Sequence, residues 1–469
     1  MYHNHMRSAI IPPAVSLSIA CLLLVAFAIQ YPLSSSFPIG GDAADYVEAA
    51  RVIDGERGTL DEALSRLRSS WYPATHLIFT MSTLLPVSWP DRFMWWMAAG
   101  HIATGLALGT LMFRLGRWPA AATAIIFWAI TTTGGGARHF EDATLAQLWS
   151  LAILGLFIER LAARSAFGAA IALALIPLFH PITGLVALLA VLTTLPTQWL
   201  AISKHSRNEK MQLTALSTVA IAQLTVALFH YQKIWSVISP EGNGQPLINI
   251  FVSGLSFVML LSPFGFLALP KLNTTTTAKY FLASLYGTSL LLSGNDMMGI
   301  DIWTDRLRSI YVFTAIPLAS LGMTILLRRL SPSPLLRFAI TVFLFTAIAT
   351  PAWVSAAHIY AYYNDPKNYA RLHPQEYEAI RWIEENIKEK STITTGISNR
   401  HTEWIPALTI HTWLPVANIN DYSLIAPAQK GEYIVYFTAR EDISQAAVVD
   451  PRFTRIYQND KAAIYALPH

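Results

Sequence analysis

The chain contains one cysteine and little charge. Cys21 lies inside an apolar run, so an intramolecular disulfide and a cysteine-based metal site are both excluded within this chain. Charged residues make up 13% of the 469 positions and hydrophobic residues 53%, against roughly 25% charged in ordinary soluble domains. A large soluble helical protein would need many polar helix faces, and the sequence does not supply them. No internal repeat or low-complexity tract stands out apart from the four threonines at 274–277. The net charge of +4 points to Lys and Arg retained in cytoplasmic loops rather than to nucleic acid, which is not expected as a partner.

What is present is a series of apolar runs of membrane-spanning length. The first, 10–30, exceeds the 7–15-residue core of a cleavable signal peptide, so an uncleaved helix is expected, with the MYHNHMR start inside. Later runs fall at 92–113, 118–133, 143–159, 166–179, 182–201, 211–230, 246–269, 278–294, 306–327 and 333–354. WYPATHLIFTMSTLLP, residues 71–86, is apolar but short and bounded by prolines, which predicts a re-entrant or interfacial helix. With that segment not crossing, the loops RLGR (114–117), ERLAAR (159–164), KHSRNEK (204–210), 271–279 and RRLSPSPLLR (328–337) share the inner side and are basic. Asp42, Asp45, Glu48, Asp54, Glu141, Asp142, Glu241, Asp296, Asp301 and Asp305 then share the outer side. A crossing at 71–86 would destroy this sorting. The expected fold is therefore an all-α polytopic membrane protein of about eleven spans with a small C-terminal extracytoplasmic α/β domain.

The expected division is a transmembrane module at 1–355, with an outer loop at 32–91, and a soluble domain at 356–469. Two short surface helices are expected in the loop: one from behind Gly40-Gly41 to about Asp54, the other over 60–67 with Leu60, Leu64 and Leu67 on one face. In the tail, Tyr377, Ile380, Ile383 and Ile387 mark an amphipathic helix, STITTG and EYIVYFT read as strands, and 453–467 reads as a hairpin turning at Asn459-Asp460. The tail has neither Gly-rich loops nor clustered nucleophiles to make it an enzyme by itself.

The outer loops collect the groups able to do chemistry. Asp42 and Asp45 lie in the first, Arg138, His139, Glu141 and Asp142 in the second, and His180 before Pro181 marks the third turn. Asp301, Asp305, Arg306 and Arg308 precede the tenth span. Ionisable groups at membrane depth cost roughly 2.5–3.5 kcal/mol each and tend to be paired or functional. Structural alternatives stand beside each. Asp42 suits a helix N-cap and Asp45 a solvated neighbour. Arg138 and Asp142 are spaced for an i,i+4 ion pair. His180 suits a turn bonded to backbone, and Arg306 and Arg308 suit snorkelling side chains. His76 and Lys233 carry less signal. Acids and arginines together at a lipid interface suit glycosyl transfer from a lipid-phosphate donor. A carboxylate takes the acceptor proton, and guanidinium groups stabilise the leaving phosphate. Paired carboxylates could instead hold a divalent cation.

The order of features resembles the membrane-embedded C-type glycosyltransferases (the GT-C fold), which include protein mannosyltransferases, aminoarabinose transferases and oligosaccharyltransferases. The resemblance rests on Asp42-Ala43-Ala44-Asp45-Tyr46 with Ala49 and Ala50 after the first span, Tyr72-Pro73, Arg138 before Asp142, His180-Pro181, and Arg306 or Arg308 at the outer end of a late span. Many members carry Glu directly after the first Asp; Ala43 stands here, leaving Asp45 as a substitute. The tail, with IRWIEEN and a final Ile-Tyr strand, looks like the outer domains of prokaryotic members.

The resemblance implies an inverting transfer from a polyprenyl-phosphate-linked sugar, with Asp42 as base and Asp45 and Asp142 assisting. Tyr46, Tyr72, Arg138, His139, Glu141, His180, Arg306 and Arg308 would bind substrate. Asp42 and Asp142 are the candidate ligands should Mg or Mn be used. The expected partners are the lipid-linked donor, a glycan, lipid or protein acceptor, and membrane lipids; the expected location is the bacterial inner membrane. A transporter of lipid-linked sugars and a non-catalytic scaffold are the alternatives. Transport is disfavoured because the acids cluster on one face and no paired interrupted helices occur.

Overall fold

The computed structural model describes residues 13–35, 37–38, 42–70, 72–131, 139, 144–229, 256–295, 304–330, 333, 372–396, 404–416, 432–437 and 454–466. Arg138, Glu141, Asp142, Lys233, Asp301, the Asp305 side chain and nearly all of the run at 333–354 lie outside the described residues.

In chain order the described α-helices are α1 (Pro13–Ser34), α2 (Asp42–Ile53), α3 (Leu60–Ser69), α4 (Pro73–Thr80), α5 (Trp89–Ile130), α6 (Leu145–Ala162), α7 (Ala166–Phe179), α8 (Pro181–Leu200), α9 (Arg207–Phe229), α10 (Ser256–Ala268), α11 (Thr276–Ser293), α12 (Thr304–Leu330), α13 (Pro374–Asn386) and α14 (Trp404–Leu408). Among the described residues, α1, α5, α6, α8, α9 and α12 contain stretches long and apolar enough to cross a membrane. The runs expected at 92–113 and 118–133 emerge as α5, whose 42 residues are interrupted at Arg117 with φ 66°. An unbroken helix of that length would measure about 63 Å, twice the roughly 30 Å hydrocarbon core. The break at Arg117 falls at the end of the RLGR loop (114–117) expected between two runs. By the same arithmetic α4, with 8 residues, extends about 12 Å. Together with the 3₁₀ turn Met81–Leu84, it is too short to span.

The chain divides into two compact units. The first comprises Met1–Gln30, Met97–His139 and Thr144–Ala357; the second comprises Tyr31–Trp96, Phe140–Ala143 and His358–His469.

Small residues and shared polar groups bring the helices of the first unit together, as packing in lipid requires. A Cβ at Gly265 would lie 1.8 Å from the Leu318 carbonyl oxygen, and one at Gly322 2.2 Å from that of Leu261, so α10 and α12 meet backbone to backbone. Thr104 Oγ1 donates to the Leu148 carbonyl at 2.9 Å, joining α5 to α6. Ser262 meets Tyr286 at 2.8 Å, and Ser289 meets Thr314 at 2.8 Å.

The basic loops collect at one end of this unit. Arg114 bonds Glu159 at 2.7 Å, Gln212 Nε2 donates to the Leu161 carbonyl at 3.2 Å, and Thr275 Oγ1 donates to the same carbonyl at 3.1 Å. Three loops expected on the inner side, and the start of α9 beside a fourth, thus meet at the C-terminal end of α6.

The second unit joins the outer loop to the tail. Its sheet contains β1 (Thr392–Gly396), β2 (Thr412–Val416), β3 (Tyr433–Phe437), β4 (Thr454–Gln458) and β5 (Ala462–Ala466), in the order β2-β1-β3-β5-β4. β1 is parallel to β2 and β3, while β5 is antiparallel to β3 and β4. The hairpin turns at Asn459, whose Oδ1 accepts from the Ala462 amide at 2.8 Å. The apolar face of α13 is buried through Ile380, Ile383 and Ile387. Phe37, 3% exposed, packs its ring 5.2 Å from Tyr377 and 4.6 Å from Trp404. Arg51 of α2 donates to the Ala407 carbonyl at 3.0 Å, and Arg57 donates to that of His411 at 2.9 Å. The tail is therefore packed onto the outer loop within one unit.

Candidate functional site

The candidate residues divide between the two units. In the first, three helix N-termini meet. Gln147, third residue of α6, donates through Nε2 to the Arg306 carbonyl in the first turn of α12 at 2.8 Å. Ser150, one turn further along α6, donates to Thr183 Oγ1 in the first turn of α8 at 3.0 Å. These contacts bring the starts of α6, α8 and α12 to one place, at the opposite end of α6 from the basic loops. Each helix start carries partial positive charge and unpaired N–H groups, which favour an anion.

His180 sits in this group as the N-cap of α8. Its Nδ1 accepts from the Thr183 amide at 3.2 Å and meets Thr183 Oγ1 at 2.8 Å. An Nδ1 that accepts from an amide carries no proton, so the ring holds its hydrogen on Nε2 and is a neutral donor. The turn role and the binding role weighed for His180 are thus compatible, because capping uses one nitrogen only. Arg306 is half-buried and Arg308 is 2% exposed. Snorkelling to water does not account for Arg308.

His139 is also fully buried in this unit. Its Nδ1 meets Thr144 Oγ1, and its ring lies 5.8 Å from that of Trp128. Trp128 in turn stacks on His101 at 5.4 Å and donates to the His101 carbonyl at 3.0 Å.

In the second unit, Asp42 is the first residue of α2 and Asp45 lies in the same turn. At this helix start the dipole favours the negative charge of Asp42. The Asp45 side chain reaches solvent. Desolvation by the surrounding protein, with repulsion from Asp42 next, pushes its pKa above the ordinary aspartate value, and the Arg66 charge opposes this.

Tyr46 is buried between α2 and α4, its ring 6.1 Å from Tyr72, 5.3 Å from His76 and 5.8 Å from Phe93. Ala43, Ala44, Ala49 and Ala50 of the same helix are buried as well, small side chains that let α2 pack closely on its neighbours. Burial, with the Arg66 charge adding to it, pushes His76 down to about 4, so its ring is neutral. Among the described residues His76 Nδ1 has no hydrogen-bond partner.

Sequence reasoning missed Gln147, Ser150 and Thr183, and it missed Arg66, whose charge acts on both Asp45 and His76. No pattern distinguished the first three from ordinary polar residues in spans. Among the described residues no group of three His, Cys, Asp or Glu side chains is arranged to hold a metal ion. Asp42 and Asp45, three apart in the first turn of α2, offer at most two carboxylate ligands to a divalent cation.

No protein-family model and no curated protein sequence matches the chain. Solved structures do. The archaeal oligosaccharyltransferase AglB from Archaeoglobus fulgidus, in complex with an inhibitory peptide and a dolichol-phosphate, superposes with a TM-score of 0.65 at 12% identity, covering 91% of this chain and 69% of that one. An Archaeoglobus fulgidus oligosaccharyltransferase in complex with zinc and sulfate gives 0.60 at 14% identity, covering 96% and 73%. ArnT from Cupriavidus metallidurans, bound to undecaprenyl phosphate, gives 0.56 at 10% identity, covering 97% and 98%. The chain thus has the fold of the C-type membrane glycosyltransferases.

Proposed function

We propose that the chain is a membrane glycosyltransferase that moves a sugar from a polyprenyl-phosphate donor to a glycan, lipid or protein acceptor at the outer face of a bacterial plasma membrane. The observation that carries this reading is the meeting of three helix starts with Arg306, Arg308 and the neutral donor His180. This combination suits a phosphate diester. Guanidinium groups supply charge-assisted hydrogen bonds, and oriented helix starts stabilise the charge that grows on the leaving oxygen. The shared fold supports the same reading, since one matched structure holds a dolichol-phosphate and another undecaprenyl phosphate.

In this reaction the acceptor oxygen attacks the anomeric carbon on the side opposite the phosphate. The new glycosidic bond forms as the old C–O bond breaks, the electron pair leaves on the lipid phosphate, and the configuration inverts. Asp42 receives the acceptor's proton as general base. Asp45 and Asp142 assist, or Asp42 with Asp142 holds Mg or Mn, a choice read directly from activity before and after chelation. Arg138, His139 and Glu141 contribute to substrate binding, and Tyr46 and Tyr72 line the wall behind Asp42. The basic end of the first unit faces the cytoplasm by the positive-inside rule, which puts the N-terminus inside and the tail outside.

The direct test is Asp42→Asn in cells, with the mass of the glycan or glycolipid as readout. Loss of product at equal expression is expected. Unchanged product would remove Asp42 from the chemistry.

A further inference from the structure

We infer that Gln147 is a positioning residue of the donor phosphate site, acting through the first turn of α12. The inference rests on the reading of Arg306 and Arg308 as phosphate-holding groups. Gln147 is 1% exposed, in the third position of α6. The acceptor at the Arg306 carbonyl, 2.8 Å away, requires the amide NH2 on that side, so the side-chain orientation is settled by chemistry. The opposite atom, Oε1, is buried with no hydrogen-bond partner among the described residues. The side chain therefore makes one described hydrogen bond, and it is the one to α12.

That bond falls at a place where small displacements matter. Arg306 and Arg308 leave α12 within one turn of the tethered carbonyl. On the other side, the Gln147 carbonyl accepts from Ser150 Oγ at 2.8 Å, Ser150 meets Thr183 at 3.0 Å, and Thr183 meets His180 Nδ1 at 2.8 Å. Gln147 thus lies between the arginines of α12 and the capping histidine of α8, and its amide sets how far apart the two stand. Phosphate recognition by fixed donors depends on such spacing.

The test measures undecaprenyl phosphate binding to the purified full chain in detergent, alongside donor turnover. Gln147→Met keeps the volume and removes the donor. It is expected to raise the Kd for undecaprenyl phosphate and the KM for the donor about 5- to 10-fold, the worth of roughly one hydrogen bond to a backbone acceptor, while kcat changes less. In an Arg306→Ala background the same substitution is expected to add less than about 2-fold, because coupled residues do not act additively. Gln147→Asn, shorter by one methylene and still polar, reads the same Kd should the methionine variant fail to fold. An unchanged Kd in either variant, or an equal loss with and without Arg306, overturns the inference and leaves the glycosyltransferase reading standing. A wild-type chain that binds no undecaprenyl phosphate overturns both.

Discussion

Replacing Arg51 with alanine should loosen α2, the helix that carries Asp42 and Asp45. The Arg51 side chain is 10% exposed and serves three acceptors from three parts of the second unit. It donates to the Ala407 carbonyl at 3.0 Å, pairs with Glu56 at 3.0 Å, and lies 3.6 Å from Glu384. The carbonyl bond is buried and charge-assisted, and its loss leaves an unpaired acceptor, a cost of about 2 kcal/mol. The two carboxylates are 39% and 36% exposed, so solvent screens them and each pair adds only about 0.5 kcal/mol. The total, about 3 kcal/mol, corresponds to a roughly 100-fold rise in the opening equilibrium of the element. Hydrogen exchange read by mass spectrometry on the full chain in nanodiscs reports this directly. Peptides covering α2 and α14 should exchange about two orders of magnitude faster in Arg51→Ala, with peptides of α6 and α8 unchanged. Arg51→Lys should recover less than half of the protection, because an ammonium cannot span three acceptors in the fork of a guanidinium. Exchange of α2 within 3-fold of wild type would refute the assignment of Arg51 as the tie between outer loop and tail.

Asp45 holds its proton more tightly in the folded unit than in the unfolded chain, so its charge destabilises above the raised pKa and that penalty fades as pH falls through it. Asp45→Asn should accordingly raise the melting temperature near pH 8, with the gain shrinking as pH approaches the ordinary aspartate value of 3.8; a pH-independent gain would contradict this. His180→Ala should cost about 1 kcal/mol of stability through the lost N-cap, whereas His180→Asn should restore the cap yet still lose donor binding, since it lacks the Nε2 donor. Parallel thermal and binding curves separate the two contributions. Gly265→Ala should fail to accumulate as folded protein, because its Cβ would fall 1.8 Å from the Leu318 carbonyl oxygen; a monodisperse variant with wild-type melting would show that α10 and α12 do not meet there.

Much of the fold was legible because membrane spans and amphipathic helices announce themselves by length and period. The apolar run at 166–179 coincides with α7, and 182–201 with α8 to within a residue. Of the expected face Tyr377, Ile380, Ile383 and Ile387, the three isoleucines are buried and Tyr377 is half-buried, with Ile387 capping the end of α13. The hairpin turned where Asn459 allowed it, and the short segment between Pro73 and Pro86 did not reach spanning length. Two elements of the tail were not legible. β2 contains Pro415 and so reads poorly as a strand, but it is an edge strand, where a missing amide costs little. α14 is five residues long, too short for a helical period to register. The close union of outer loop and tail was also hidden, since Arg51 and Arg57 reach across more than 350 positions to carbonyl groups, and a backbone acceptor leaves no mark in sequence.

The candidate site shows a sharper form of the same limit. Its charged members could be found from sequence because charge in an apolar chain is costly and therefore informative. Gln147, Ser150 and Thr183 could not. A serine or threonine in a span can satisfy itself on the carbonyl three or four residues back, as Thr194, Ser320 and Thr324 do here, so its presence carries no message. Ser150 bonds its own helix at Gln147 and also reaches Thr183 on another, and only geometry distinguishes the two uses. The neutral members are the ones that bond across α6, α8 and α12. A search of such chains for ionisable residues alone will therefore recover the charged candidates and overlook the hydrogen bonds that join the helices carrying them.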